Sequence, residues 1–329
     1  MRHIIGFAAA CLGAALLCVG LSGAAALAET PVLRIAAQKS GTVNWELETI
    51  TANGLDEKNG FELEVMDVAG SAAGQVAFQG GEADAMVSDW IWVARQRAEG
   101  EDYVFIPYSR TVGGLMVPAD SPARTLADLR GAKVGVAGGP LDKSWILMRA
   151  YTEKEYGFDL ADETEQVFGA PPLIAEVAQR GEVGGAINFW HFLAKMKVAG
   201  MRELVGVSEV AEALGLDPET PLLGYVIRGE LLRDNPDLVD GFATASRAAK
   251  DLLANDPAAW EGIRPMMNAA DSAEYEALKA GFIAGIPAAG PVNEAAAGRM
   301  LGLMAEIGGA ELVGGATTLP EGLFVQPGS

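Results

Sequence analysis

Apolar residues in this chain recur in short runs, each followed by a polar turn and then by a stretch whose apolar positions fall three and four apart. Residues 32–37 form such a run and lead straight into Gln38-Lys-Ser-Gly-Thr-Val-Asn44, after which a helix is predicted to begin near Asn44 or Trp45. Residues 61–66 alternate like a half-buried strand, and Gly70-Ser71 opens a small-residue helix that Gly80-Gly81 ends. Residues 83–87 are predicted as strand, 90–98 as helix and 103–107 as strand. Strands that alternate with helices argue for a mainly parallel sheet with covering helices.

The pattern then repeats. Residues 112–117 are strand-like, and Pro118-Ala-Asp-Ser-Pro122 breaks them at an expected crossing between two lobes. Thr125 and Asp128 have capping-box spacing before a short helical segment at 126–129. Residues 133–137 form a strand that feeds the polar loop 138–144. A helix over 144–156, a strand at 165–168, a helix after Pro172 and a closing strand at 201–205 complete the second lobe. Residues 222–227 are expected to return to the first lobe, which makes two crossings and permits a hinge. In the tail, Asn235-Pro236 marks a helix start, with Asn as cap and Leu238, Phe242, Ala245, Ala249 and Leu252 on one face. Another helix runs from Asn293 through Ile307 until Gly308-Gly309 stops it.

An internal echo supports the two-lobe reading. Gly81, Glu82, Trp90, Ala94 and Gly100 recur one hundred residues later as Gly181, Glu182, Trp190, Ala194 and Gly200. Val87/Ile187, Trp92/Phe192, Val93/Leu193, Arg95/Lys195 and Arg97/Lys197 are conservative pairs at the same offset. Each copy reads as a buried strand, a polar turn and a helix that opens on Trp.

Length and composition narrow the picture. The 329 residues have room for two domains. Residues 1–28 have the three parts of a secretory signal: Arg2-His3, an apolar run from Ile4 to Leu21, and Ala26-Leu27-Ala28 before a cleavage site at Glu29. The run is short for a membrane anchor. Leu17 before Cys18 is wrong for lipoprotein processing. Both cysteines, Cys11 and Cys18, lie in this leader, so the mature chain would lack thiolate–zinc, iron–sulfur and cysteine-nucleophile chemistry. A formal net charge of −20 disfavours nucleic acid and anionic lipid as partners.

In open parallel sheets ligands bind beyond the carboxyl ends of the strands. The first lobe offers Lys39, Thr42, Asn44 and Trp45, then Ser71, then Ser88, Asp89 and Trp90. The second offers Gly139, Asp142, Lys143 and Trp145, then Asn188 and Trp190. Small polar residues at helix starts expose N–H groups that suit a carboxylate, sulfonate or phosphate. Four tryptophans at equivalent places would wall a cleft against a planar ring or an organic cation, or would simply pack helices on sheets. Asp89 and Asp142 suit an amine or ring N–H, and Lys39 and Lys143 an acid group. Enzyme motifs fail: the loop 138–144 has Asp142 where a phosphate-binding loop needs Gly, and Ser71 lacks the flanking glycines of a nucleophile elbow. His191 aligns with Ile91 in the echo and reads better as a packing residue than as a pocket residue.

These residues resemble periplasmic solute-binding proteins of ABC importers, of the nitrate/sulfonate/taurine type that includes thiamine-pyrimidine-precursor binders. The resemblance rests on the opening strand at 33–37, Asn59-Gly-Phe-Glu-Leu-Glu-Val65, Gly80-Gly-Glu-Ala-Asp-Ala85, the segment 119–135 with Gly131, Lys133, Val134 and Gly135, and Asn235-Pro-Asp-Leu-Val239. It implies an α/β type II periplasmic binding fold, with two mainly parallel-sheet lobes joined by two crossing strands. Residues 29–116 with 222–329 would form one lobe, and 117–221 the other. It further implies a small-molecule solute held in the interlobe cleft, an ABC permease and ATPase in the inner membrane as partners, periplasmic location and a monomer. Neither cofactor nor metal nor nucleic acid is expected. Asp89 fits a small organic solute that is aromatic, amine-bearing or zwitterionic; a sulfonate-type anion is the alternative, as is an enzyme or sensor on the same fold. The related pyrimidine synthases use histidine and a cysteine-rich iron site, which the mature chain cannot supply.

Overall fold

The strands assemble into two five-stranded sheets rather than one, because each group of alternating strands and helices closes before the chain crosses over. The computed structural model describes residues 30–325; the predicted leader lies outside them. In the first sheet β1 (Val32–Gln38) pairs in parallel with β2 (Glu62–Val68) and β3 (Ala85–Asp89). The helices Val43–Ala52 and Ser71–Gln79 connect them. β4 (Tyr103–Ser109) lies at the far edge. In the second sheet β5 (Gly113–Val117) is internal, and β6 (Lys133–Ala137) pairs in parallel with β7 (Glu165–Gly169) and β8 (Gly185–Phe189). β9 (Arg202–Gly206) is at the edge, and β10 (Leu223–Arg228) returns to the first sheet between β3 and β4.

Each sheet is mainly parallel, as expected, and is mixed through a single reversed strand. β10 is antiparallel to β3 and β4, and β5 is antiparallel to β8 and β9. The reason is directional. Strands of βαβ units run toward the facing lobe, whereas a strand that has just crossed from that lobe must run away from it. The same pairing moves the first crossing. β5 belongs to the second sheet, so the chain crosses at residues 110–112, before the strand and not at the proline-rich stretch behind it. Gly113 permits this approach, since a Cβ there would stand 2.0 Å from the Asn188 carbonyl oxygen.

The echo occupies equivalent positions. β3 and β8 each deliver the chain into a helix opening on Trp, Trp90–Ala98 and Trp190–Val198. Each helix start is tied to a crossing: the Trp90 amide donates to the Leu222 carbonyl at 3.3 Å, and that of Trp190 to Val112 at 3.2 Å.

The tail differs in three respects from expectation. A helix at Ser272–Ala284, capped by Asp271, covers a stretch without a clear apolar period and packs on the Trp190 helix. Asn235 makes no side-chain cap bond among the described residues, although Pro236 does occupy the first turn of Pro236–Asn255. The last helix, Glu294–Val313, kinks at Gly309 (φ 60°) where it was expected to stop, and it resumes because Leu312 and Val313 are buried beyond the kink. The Thr125–Asp128 capping box is present. Among the described residues no helix is long and apolar enough to cross a membrane.

Candidate functional site

The turns after β3 and β6 face each other across the two lobes and are joined by an ion pair. Asp89 ends β3 and caps the helix behind it, its Oδ1 accepting from the Trp92 amide at 2.9 Å. Its other oxygen accepts from Lys143 Nζ at 2.8 Å. Lys143 opens the helix Lys143–Tyr156, which Asp142 caps through the Trp145 amide at 3.1 Å. Two capping carboxylates and one ammonium therefore converge where the lobes meet. Burial by itself would lower the pKa of Lys143, but the charge and hydrogen bond of Asp89, with Asp142 alongside, outweigh it and hold the ammonium above its ordinary value. Burial pushes Asp142 up to about 6, with the nearby Asp89 charge adding to it.

The first-lobe wall is completed by the turn after β1. Asn44 is buried; its Nδ2 donates to the carbonyls of Gln38 and Lys39 at 2.8 and 3.2 Å, which fixes the turn. Its Oδ1 is buried and has no partner among the described residues, leaving an acceptor at the pocket turn. Thr42 shares a hydrogen bond with Tyr108, whose hydroxyl burial pushes above its usual range. Gln38 Nε2 donates to Ser71 Oγ at 2.7 Å and links two adjacent turns. Lys39 and Ser71 are exposed, and Ser88 and Gly139 are partly so.

The tryptophans divide. Trp90 is fully enclosed against Phe324, ring centroids 5.9 Å apart, and Trp145 packs on Phe168 at 6.5 Å. Both are buried in one apolar cluster of the core, where their large rings leave water, and not on an open cleft wall. Trp45 is also buried, but Trp190 from the other lobe meets it edge-on at 5.9 Å and is half-buried itself. Asn188 is likewise inside: its Nδ2 donates to the Pro171 carbonyl at 2.9 Å and its Oδ1 accepts from the Phe189 amide at 2.8 Å. Both bonds hold the turn that ends β8.

The reading from sequence missed Gln38 and the crossings. Arg110, on the first crossing, pairs with Glu219 on the second. A search confined to turns between strand and helix passes over them, and a charged residue placed next to a predicted crossing was the available signal.

His191 is a packing residue. Its ring lies among Phe189, Trp190 and Phe192, and its buried Nδ1 has no partner among the described residues. Burial, with Lys195 nearby, pushes its pKa down to about 4. The unfolded imidazole titrates near 6.5, so between pH 6.5 and about 4 only the unfolded chain takes the proton and stability falls as pH falls. Asp142, raised in the folded state, acts in the opposite sense below pH 6. A His191→Phe variant isolates the first effect: its unfolding free energy should match the parent at pH 7 and exceed it by up to about 2 kcal/mol at pH 5. Parallel denaturation curves at the two pH values check this, and an unchanged difference would place the imidazole in solvent.

A family model described as NMT1/THI5 like matches residues 51–259. No curated protein matches the chain in sequence. Among solved structures, the periplasmic aliphatic sulphonate binding protein SsuA from Escherichia coli gives a TM-score of 0.68 at 20% identity, over 86% of this chain and 94% of that one. The alkanesulfonate-binding protein SsuA from Xanthomonas axonopodis pv. citri, bound to MOPS, gives 0.67 at 17% identity, over 91% and 99%. DszB in complex with biphenyl-2-sulfinic acid gives 0.58 at 16% identity, over 89% and 98%. These likenesses show a shared two-lobe α/β fold.

Proposed function

The chain belongs to the NMT1/THI5-like family, and on that premise we propose that it is the solute-binding component of an ABC importer. It is exported by its leader, captures a small organic solute between its lobes by hinge closure and delivers it to a membrane permease and ATPase. The observation that carries the reading is the 2.8 Å contact of Lys143 with Asp89, one charge from each lobe, at the strand ends where such folds bind ligands.

The solute is read as a zwitterion. Its amine replaces Lys143 at Asp89, with the orphaned Asn44 Oδ1 as a further acceptor. Its acid group replaces Asp89 at Lys143, at the start of a fourteen-residue helix that favours negative charge. The two SsuA neighbours, an alkanesulfonate-binding and an aliphatic sulphonate binding protein, support an acid group. An aromatic solute draws less support, since Trp90 and Trp145 are in the core and Trp190 alone of the four is half-buried. Binding rather than turnover fits a chain whose two cysteines are Cys11 and Cys18 and whose His191 is held neutral by burial.

Thermal-shift screening against small zwitterions and their singly charged analogues tests this. A cognate solute at a hundred times its Kd stabilises the folded chain by about 2.7 kcal/mol. Zwitterions are expected to raise Tm and to shift tryptophan emission saturably. Stabilisation by singly charged analogues alone, or turnover of a compound without saturable binding, would overturn the reading.

A further inference from the structure

A second cavity, of about 520 Å³, lies on the first lobe against the return crossing, and it shares no residue with the cleft turns. Its walls are the end of β4, the crossing at 217–221, one face of the helix Pro236–Asn255 and the segment 287–293. That volume is of the size that holds small molecules, and the lining is of the mixed kind such sites have. Four prolines, Pro107, Pro221, Pro287 and Pro291, make a rigid apolar wall without N–H groups.

The polar groups of this cavity favour an anion. Thr220 is buried, and its Oγ1 has no partner among the described residues. Arg247 commits Nη2 to the Pro287 and Ala288 carbonyls at 2.9 and 3.4 Å, and its carboxylate neighbour Asp251 is 3.9 Å from Nη1, so donor capacity remains on a half-exposed guanidinium. Lys250 at the inner wall is neutralised by Glu46 at 2.7 Å, which leaves Arg247 as the cation of this cavity. On the opposite wall Glu219 is neutralised by Arg110, while Asp217 keeps its charge and accepts from the Glu219 amide at 3.0 Å and from Asn293 at 3.4 Å.

We infer that this cavity binds a small organic acid with an apolar body, its carboxylate on Arg247 and Thr220 and its body against the prolines. Such an occupant touches one of the two chains that join the lobes. Ser246, which lines the cavity, also donates to Glu46 at 2.6 Å, on the helix that starts at the first pocket turn.

Octanoate is the probe, titrated calorimetrically into the full mature chain. Saturable binding with a Kd of about 1 mM or tighter is expected. Arg247→Met should weaken it at least about tenfold, Thr220→Val by several-fold, and octanol should bind about tenfold more weakly than octanoate. Lys143→Met, in the cleft, should leave octanoate binding unchanged. Absence of saturable binding, affinity unaltered in Arg247→Met, or loss of binding in Lys143→Met would each overturn the inference.

Discussion

Replacing Lys250 by methionine is expected to remove about 3–5 kcal/mol of unfolding free energy at pH 7, the cost of stranding a buried charge. The ammonium lies 2.7 Å from Glu46 Oε2, with side-chain exposures of 3% and 0%. Glu46 Oε1 accepts from Tyr225 at 2.8 Å and from Ser246 at 2.6 Å, and Lys250 donates to Ser246 Oγ at 2.7 Å. Burial lowers the pKa of Lys250, and the Glu46 charge opposes that fall. Without the lysine, Glu46 either stays charged with two neutral donors or takes a proton. The double variant Glu46→Gln/Lys250→Met removes both charges, keeps an acceptor for Tyr225 and Ser246, and should regain at least about 2 kcal/mol of the loss. Urea denaturation of the three variants measures all of this. A Lys250→Met loss below about 1 kcal/mol would show that water reaches the pair.

That pair also shows where reading the sequence ends. Glu46 stands between Trp45 and Leu47, and Lys250 between Ala249 and Asp251, and no periodic signal links positions so far apart. Only the packing of Val43–Ala52 on Pro236–Asn255 brings them together. By contrast the echo at 81–100 and 181–200 placed β3, β8 and their helices correctly, because an equal offset carries register as well as element type. Hydrophobic pattern identified β5 as a strand but not its partners, since an apolar run of five fits either sheet. Turn position nominated Asp89, Asp142 and Lys143, and the structure brings all three together. It could not tell which way Trp90 and Trp145 point. A large ring in the first turn of a helix packs into the core or faces the cleft according to how the helix lies, which is a tertiary fact.

Substituting the cross-lobe pair is expected to produce the other large effect, on solute affinity, and its sign pattern identifies the solute's charge. With side-chain exposures of 25% for Lys143 and 14% for Asp89, the pair is partly desolvated, so each charge is worth more than a surface ion and less than one in the deep core. The two satisfy each other, and on the proposed reading a bound solute replaces both halves of that interaction. A zwitterion does so, which is why Asp89→Asn and Lys143→Met should each weaken its binding, by about 2–5 kcal/mol. A purely anionic solute behaves differently: Asp89→Asn relieves repulsion and strengthens binding, while Lys143→Met weakens it. A cationic solute reverses those two signs. Both variants also remove one of the contacts between the lobes, so scattering from the solute-free proteins should show a larger radius of gyration than the parent. Titration of the solute identified by screening into both variants decides among the three patterns. If neither substitution changes affinity while both expand the solute-free chain, the pair is a latch only, and the recognition chemistry lies with Asn44, Thr42 and the turn after β1.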